Sequence, residues 1–344
     1  MHRSAIRCAI LVAGLFLATG SVLAAVQIKI ATVAPEGSEW MQQFRAAAAE
    51  IRQRTDGRVV VKFYTGGVMG NDKKVLRKIR SGQLQGGTFT VSGLSERYDD
   101  LVIYGLPLLF HDQAEVDYVR KRMDPILTKG LADAGFESFG FATGGFAVLM
   151  GNEPVSSLDQ LRGRKAWVPE GDRISYAALE AMDLSPVVLP ITDVLTGLQT
   201  GLIEFIATPP VGAVVLQWHT KVKYITDVPL SYTLATLVVD RKAFSRMQPD
   251  DQAVFRDVMS RAYADLDAEA RQDNASAMQA LKASGLQVRH LSAEQLARWR
   301  AAGQQATDRL VAEGIVSPEA YAQLEDLLQE YRAQVEPSAA TAAR

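Results

Sequence analysis

The sequence contains one cysteine, and its position excludes thiol chemistry from the folded protein. Cys8 lies in the apolar part of an N-terminal segment that we expect to be removed, so the mature chain has no thiol. Disulfides, thiolate metal sites and cysteine nucleophiles are therefore excluded. The remaining chain of about 320 residues is long enough to be stabilised by its hydrophobic core alone.

Signals for nucleic-acid binding and for catalysis are also missing. The chain has 37 Lys+Arg against 39 Asp+Glu, so no basic face that would bind phosphates is expected. It has no HExxH, GxSxG or GxxxxGK motif, and no GxGxxG that follows a predicted strand. Outside the N-terminal segment, histidine occurs only at the distant positions 111, 219 and 290. We predict no enzymatic activity, no cofactor, no metal and no nucleic-acid partner.

The first 24 residues have the features of a secretory signal peptide. Arg3 and Arg7 precede an apolar run at 9–17, and small residues near Ala24 suit signal-peptidase cleavage. This run is too short to cross about 30 Å of hydrocarbon. We expect residues 1–24 to be cleaved and the mature chain to act in the periplasm, with a retained membrane anchor as the alternative.

Predicted strands and helices alternate along the first hundred residues. Residues 27–33 and 59–64 have the apolar, β-branched character of strands, and a helix at about 39–55 joins them. Asn71 caps a second helix, which leads to a strand at 88–91. This βαβαβ order predicts a parallel sheet covered by helices on both faces.

A second α/β unit begins near residue 157, and long helices follow at 249–283 and 292–334. Two such units predict an α/β protein with two lobes, a hinge and long C-terminal helices that brace the lobes. We assign 26–145 and about 230–262 to lobe I, 146–229 and about 263–334 to lobe II, and 335–344 to a disordered tail.

Small molecules bind to folds of this kind at the carboxyl ends of parallel strands. The candidate site therefore lies among the segments at the ends of the predicted strands, namely 32–39, 66–71, 88–92, 142–147, 167–173 and 208–212. Within or beside these segments, we expect Trp40, Asn71, Thr88 and Ser92 to contact the ligand. An exported, thiol-free chain with two lobes and no catalytic motif is typical of a solute-binding protein.

Five segments carry a family resemblance: FYTGGVMGNDKKVLRKIRSGQLQGG, GLPLLFHDQAEV, LRGRKAWVPEGD, LQTGLIEFIATPP and LVVDRKAF. In this order they resemble the DctP-type solute receptors of tripartite ATP-independent periplasmic (TRAP) transporters, over nearly all of the mature chain. The resemblance implies a periplasmic receptor that binds a small solute in an interlobe cleft. It also implies delivery of the solute to the membrane subunits of a TRAP permease. From the two α/β units and the long C-terminal helices, we expect this receptor to be monomeric or weakly associated.

The resemblance locates solute contacts at which this sequence departs from the family. Most members bind a substrate carboxylate with an Arg at the position of Trp167, and some have a second Arg at that of Ala147. The family's Asn corresponds to Thr208. Because paired guanidinium donors are lost and an indole face is gained, we expect the cleft to prefer a large apolar or aromatic body.

Other residues are candidates for the lost contacts. Three cations could replace the Arg, namely Arg173, Lys165 and His219. Trp218 could add a stacking surface. Core packing is the alternative role for Trp167 and Trp218. Two other functions stay open, namely an accessory envelope protein that binds lipid-like ligands and an exported enzyme that acts on small metabolites.

Overall fold

Ten strands form one mixed sheet in the computed structural model, which describes residues 25–342. The predicted signal peptide, residues 1–24, lies outside the described residues. The strands are β1 (Val26–Ala31), β2 (Val59–Tyr64), β3 (Gly86–Thr90), β4 (Phe136–Ser138), β5 (Ala142–Gly151), β6 (Lys165–Pro169), β7 (Ser185–Leu189), β8 (Phe205–Thr208), β9 (Tyr224–Asp240) and β10 (Gln287–His290).

Two sets of parallel strands flank a central antiparallel pair. The strand order is β2-β1-β3-β9-β5-β8-β6-β7, with β4 and β10 paired to β9. Strands β2, β1 and β3 are parallel, as are β8, β6 and β7, whereas β5 and β9 run antiparallel to each other. We call the side of β2, β1 and β3 lobe I and the side of β8, β6 and β7 lobe II.

The helices cover the sheet and connect its two sides. They are α1 (Glu39–Arg54), α2 (Asp72–Arg80), α3 (Gln113–Asp133), α4 (Arg173–Ala181), α5 (Val194–Thr200), α6 (Pro210–Val215), α7 (Arg241–Phe244), α8 (Pro249–Ala283), α9 (Ala293–Ala312) and α10 (Pro318–Ala342). In the described part of the chain, no helix combines the length and the apolar character that crossing a membrane requires.

Helix α8 contributes to the cores of both lobes. Near its beginning, Phe255 and Val258 pack in an apolar cluster with Phe44 of α1. Near its end, Leu281 packs in a second cluster with Trp167 of β6. A 35-residue helix reaches about 50 Å, which is enough to span two lobes.

Helices α9 and α10 pack against different parts of the molecule. Helix α9 contacts α4, whereas α10 contacts α3, which the predicted boundaries assign to lobe I. Arg332 of α10 donates to the buried Glu115 of α3 at 2.8 and 3.0 Å. Helix α10 continues to Ala342, through most of the segment 335–344 for which the sequence predicts a disordered tail. The alanine-rich composition of this segment favours the helix.

Candidate functional site

A cavity of about 450 Å³ lies between the two lobes. Thr32 follows β1 and Ser92 follows β3, so lobe I presents the carboxyl ends of its parallel strands. Lobe II does the same with Pro169 of β6 and Thr208 of β8. Both parallel sets therefore end at the same cavity, as expected for ligand sites in such sheets.

Most of the site residues predicted from the sequence line this cavity. They are Trp40, Thr88, Ser92, Ala147, Trp167, Thr208 and Trp218. The other three, Asn71, Arg173 and His219, are not among its lining residues. The role of each of these residues in binding stays a prediction.

Trp167 lines the cavity and also belongs to the core of lobe II. Its side chain packs with Trp218, with ring centroids 5.1 Å apart and ring planes at 76°. Its Nε1 donates a hydrogen bond of 3.0 Å to the Leu189 carbonyl of β7. The residue is only 7% exposed. The indole N–H is therefore already satisfied, and Trp167 offers a solute apolar ring surface.

None of the cations proposed to replace the family's Arg faces the cavity. Arg173 is exposed at the beginning of α4, and Lys165 is exposed at the beginning of β6. His219 Nδ1 lies 3.0 Å from the Ala213 carbonyl oxygen. In the described chain, the cavity lining contains no Lys, Arg or His at all. The prediction that one of these residues takes over the carboxylate contact has no support in the geometry.

Asn71 connects the two lobes at the edge of the cavity. Its Oδ1 accepts from the Lys74 amide and caps α2, as the sequence predicts, while its Nδ2 donates to Glu170 Oε2 at 2.6 Å. Lys73 Nζ lies 3.8 Å from the same carboxylate. Ser95 Oγ donates to the Gly171 carbonyl at 3.0 Å. These three interlobe contacts hold the lobes together beside the solute site.

Sequence reasoning included two acidic residues of the cavity, Glu39 and Asp172, only within its candidate segments, and it missed Asp72 and Asp273. The charged lining residues of the cavity are Glu39, Asp72, Asp172 and Asp273. Asp172 caps α4, accepting from the amide and the hydroxyl of Ser175 at 2.9 and 2.8 Å. Burial raises the pKa of Asp172. The sequence signal for Asp72 is that of a helix N-terminus, so its position facing a cavity could not be foreseen.

Asp72 is a lining acid without a partner among the described residues, as are Glu39 and Asp273, and its pKa is the most strongly raised of the three. Its carboxyl group forms no hydrogen bond or ion pair to any other part of residues 25–342. Burial, and secondly the charge of Glu170, raise the pKa of Asp72 to about 7. A Cβ atom at position 93 would overlap Asp72 Oδ2, so Gly93 provides the space that this carboxyl group occupies.

The chain resembles known solute receptors in sequence and in fold. The family model for bacterial extracellular solute-binding proteins, family 7 (DctP), matches residues 30–313. The C4-dicarboxylate-binding periplasmic protein DctP of Rhodobacter capsulatus is 23% identical over 248 residues, which are 71% of this chain and 74% of that protein.

Two crystal structures illustrate the similarity of fold. DctP7 of Bordetella pertussis, an extracytoplasmic solute receptor binding pyroglutamic acid, has a TM-score of 0.80 at 20% identity, covering 89% of this chain and 100% of that one. A TRAP periplasmic solute-binding protein of Xanthobacter autotrophicus with bound β-D-galacturonate also has a TM-score of 0.80. Its identity is 19%, and the match covers 88% of this chain and 99% of that one.

These similarities decide several predictions made from the sequence. They confirm the resemblance to DctP-type receptors, the two-lobed α/β fold class and the function of a TRAP-type solute receptor. They give no support to a lipid-binding accessory protein or to an exported enzyme. The chain belongs to the family of bacterial extracellular solute-binding proteins, family 7.

Proposed function

We propose that this TRAP-type receptor works in the periplasm, captures a small organic solute with a large apolar body, and delivers it to the membrane subunits of a TRAP permease. The protein binds its solute as a monomer and does not transform it. Seven residues that were predicted from the sequence and that line the cavity are proposed to contact the solute. They are Trp40, Thr88, Ser92, Ala147, Trp167, Thr208 and Trp218. Asn71 contributes indirectly, through the hydrogen bond that it donates to Glu170 of the other lobe.

The observation that carries this proposal is the apolar interlobe cavity. All four tryptophans of the chain line it, together with Phe89, Phe205 and Tyr232. Aromatic side chains offer large apolar contact areas at little conformational cost. Solute sites in proteins are typically concave and largely apolar, with a few polar groups that orient the ligand.

We expect a small organic acid to fit this cavity less well than it fits the binding sites of the named relatives. The Rhodobacter protein is named for C4-dicarboxylates and the Bordetella structure for pyroglutamic acid. Here the position of the family's Arg is Trp167, and no cation lines the described cavity. Burying an unpaired carboxylate costs several kcal/mol, so affinity for a small dicarboxylate should be low.

Mass spectrometry of the molecules extracted from natively purified protein tests this proposal. We expect one predominant solute with an extended apolar portion. Re-added at about 100 times its Kd, it should stabilise the protein by about 2.7 kcal/mol, which a thermal shift would detect. Extraction of a small dicarboxylate that binds tightly, or turnover of the solute by the protein, would contradict the proposal.

A further inference from the structure

We infer that the solute carries a protonated amino group and that the Asp72 carboxylate binds it as its counterion. This inference rests on the proposed function and specifies the chemical class of its solute. It follows from the sign of the charges in the cavity, from the missing partner of Asp72 and from the positions of the nearest cations.

The charges that line the cavity all have one sign. Glu39 and Asp273 contribute carboxyl groups from the first turn of α1 and from α8, and the charge of Asp273 raises the pKa of Glu39. Asp72 and Asp172 contribute two more, at the beginnings of α2 and α4. Such a lining creates a negative potential, which attracts cations and repels anions.

Asp72, Glu39 and Asp273 all have free acceptor atoms, and Asp72 is the one of the three whose pKa burial raises most. The Asp172 carboxylate is already occupied by the two donors of Ser175. The Asp72 oxygens accept no hydrogen bond from the described residues, and they lie against Gly93. An ammonium group supplies both a compensating positive charge and up to three N–H donors. Hydrogen bonds between an ammonium and a carboxylate are among the stronger ones in proteins.

No Lys, Arg or His of the described residues forms an ion pair with Asp72, and Lys73 and Arg120 pair with other acids instead. Lys73, the next residue, lies 3.7 Å from Glu96 and 3.8 Å from Glu170. Arg120 lies 2.9 Å from Asp124 and 2.7 Å from Asp267. Neither cation lines the cavity. A positive charge carried by the solute would therefore compensate the ionised form of Asp72.

Three small molecules of similar shape and different charge test the inference. After removal of any bound solute by unfolding and refolding, calorimetry at pH 8 compares 2-phenylethylamine, 2-phenylethanol and phenylacetate. We expect the amine to bind at least tenfold more tightly than the alcohol, and phenylacetate to bind most weakly. Asp72→Asn should weaken amine binding at least tenfold and change alcohol binding less than threefold.

Asp308→Asn is the matched control, since it removes the same charge from the exposed surface of α9, away from the cavity. It should leave all three affinities unchanged. Lowering the pH from 8 to 6 should weaken amine binding about tenfold, because the pKa of Asp72 is about 7. Glu170 and Lys73 beside Asp72, and the other lining acids Glu39, Asp172 and Asp273, whose pKa values are also raised, are the charged groups that could modify this response. Alcohol binding should not change with pH.

Several results would overturn the inference. These are a preference for phenylacetate, an equal loss of amine and alcohol binding in Asp72→Asn, or binding of none of the three molecules at millimolar concentration. A protein that prefers the acid or the alcohol would still be a solute receptor, so the proposed function would stand. The solute extraction described above tests that function separately.

Discussion

The charge of Asp72 should reduce the stability of the solute-free protein. Because burial raises its pKa from an ordinary value of 3.8 to about 7, the folded state binds this proton more tightly than the unfolded chain does. The free energy of unfolding should therefore fall as the pH rises from about 4 to 7. A residue that lowers stability in this way is typical of a binding site.

Asp72→Asn should consequently stabilise the protein, and by more at high pH. The gain in the free energy of unfolding should be about 2 to 3 kcal/mol larger at pH 8 than at pH 5. Urea denaturation of the solute-free protein at both pH values measures this difference. Asp308→Asn should shift stability by less than about 0.5 kcal/mol at either pH. An equal gain at both pH values would show that Asp72 does not titrate in this range.

Trp167 should matter for stability as well as for binding. Trp167→Ala removes its packing against Trp218, so it should lower the free energy of unfolding by about 3 to 5 kcal/mol. Trp167→Phe keeps a ring but removes the Nε1 hydrogen bond to the Leu189 carbonyl, which still accepts from the Glu170 amide at 3.2 Å, so the cost should be only about 0.5 to 1.5 kcal/mol. Denaturation curves measure both losses. If neither variant is destabilised, the residue serves only as a ligand contact.

At the scale of elements, the segments after β2 and β6 contact each other across the edge of the cavity. Asn71→Asp retains the cap of α2 but places a carboxylate opposite Glu170, so the lobes should separate. We expect a larger radius of gyration in small-angle scattering and a roughly tenfold loss of solute affinity. Asn71→Ser, which caps the helix without the repulsion, should give a smaller effect. An unchanged radius in Asn71→Asp would argue against these contacts as determinants of closure.

The elements differ in how far the sequence predicts them. Strand β2 and helix α8 have the predicted bounds, since β-branched runs, an initial Pro and periodic apolar residues are local signals. The cap of α2 by Asn71 was predicted for the same reason. The central pairing of β5 with β9 was not, because these strands are about 80 residues apart in sequence and nothing local specifies their partners.

The candidate site, like the fold, was predicted from the sequence only in part. The carboxyl ends of the strands identified most of its polar and aromatic lining, including Thr88 and Trp167. Asp72 was missed because an acid at the first position of a helix is ordinary. Gly93 leaves space for its carboxyl group, and Lys73 lies near Glu96 and Glu170 instead of pairing with it. Those relations exist only after folding.

At the scale of the whole molecule, the strands β5 and β9 pair with each other between the two lobes. Helix α8 contributes to the cores of both lobes. Bending of these shared elements is the expected route for opening and closing. Because all four tryptophans line the cavity, solute binding should change the intrinsic fluorescence as well as the radius of gyration. Titration with the extracted solute, followed by both measurements, should give the same Kd. A fluorescence change without any change in radius would argue against lobe closure.

The acidic lining of the cavity also determines which molecules the receptor ignores. A periplasmic receptor meets its solute in a mixture, and discrimination depends on rejecting competitors as much as on binding the right one. An organic acid approaching this cavity would meet carboxylates and, among the described lining residues, no cation to receive it. A hundredfold excess of succinate should therefore leave the occupancy of the receptor unchanged. A cavity without a lining cation among the described residues, together with the acid Asp72, would then select solutes by the opposite charge from that of an organic acid.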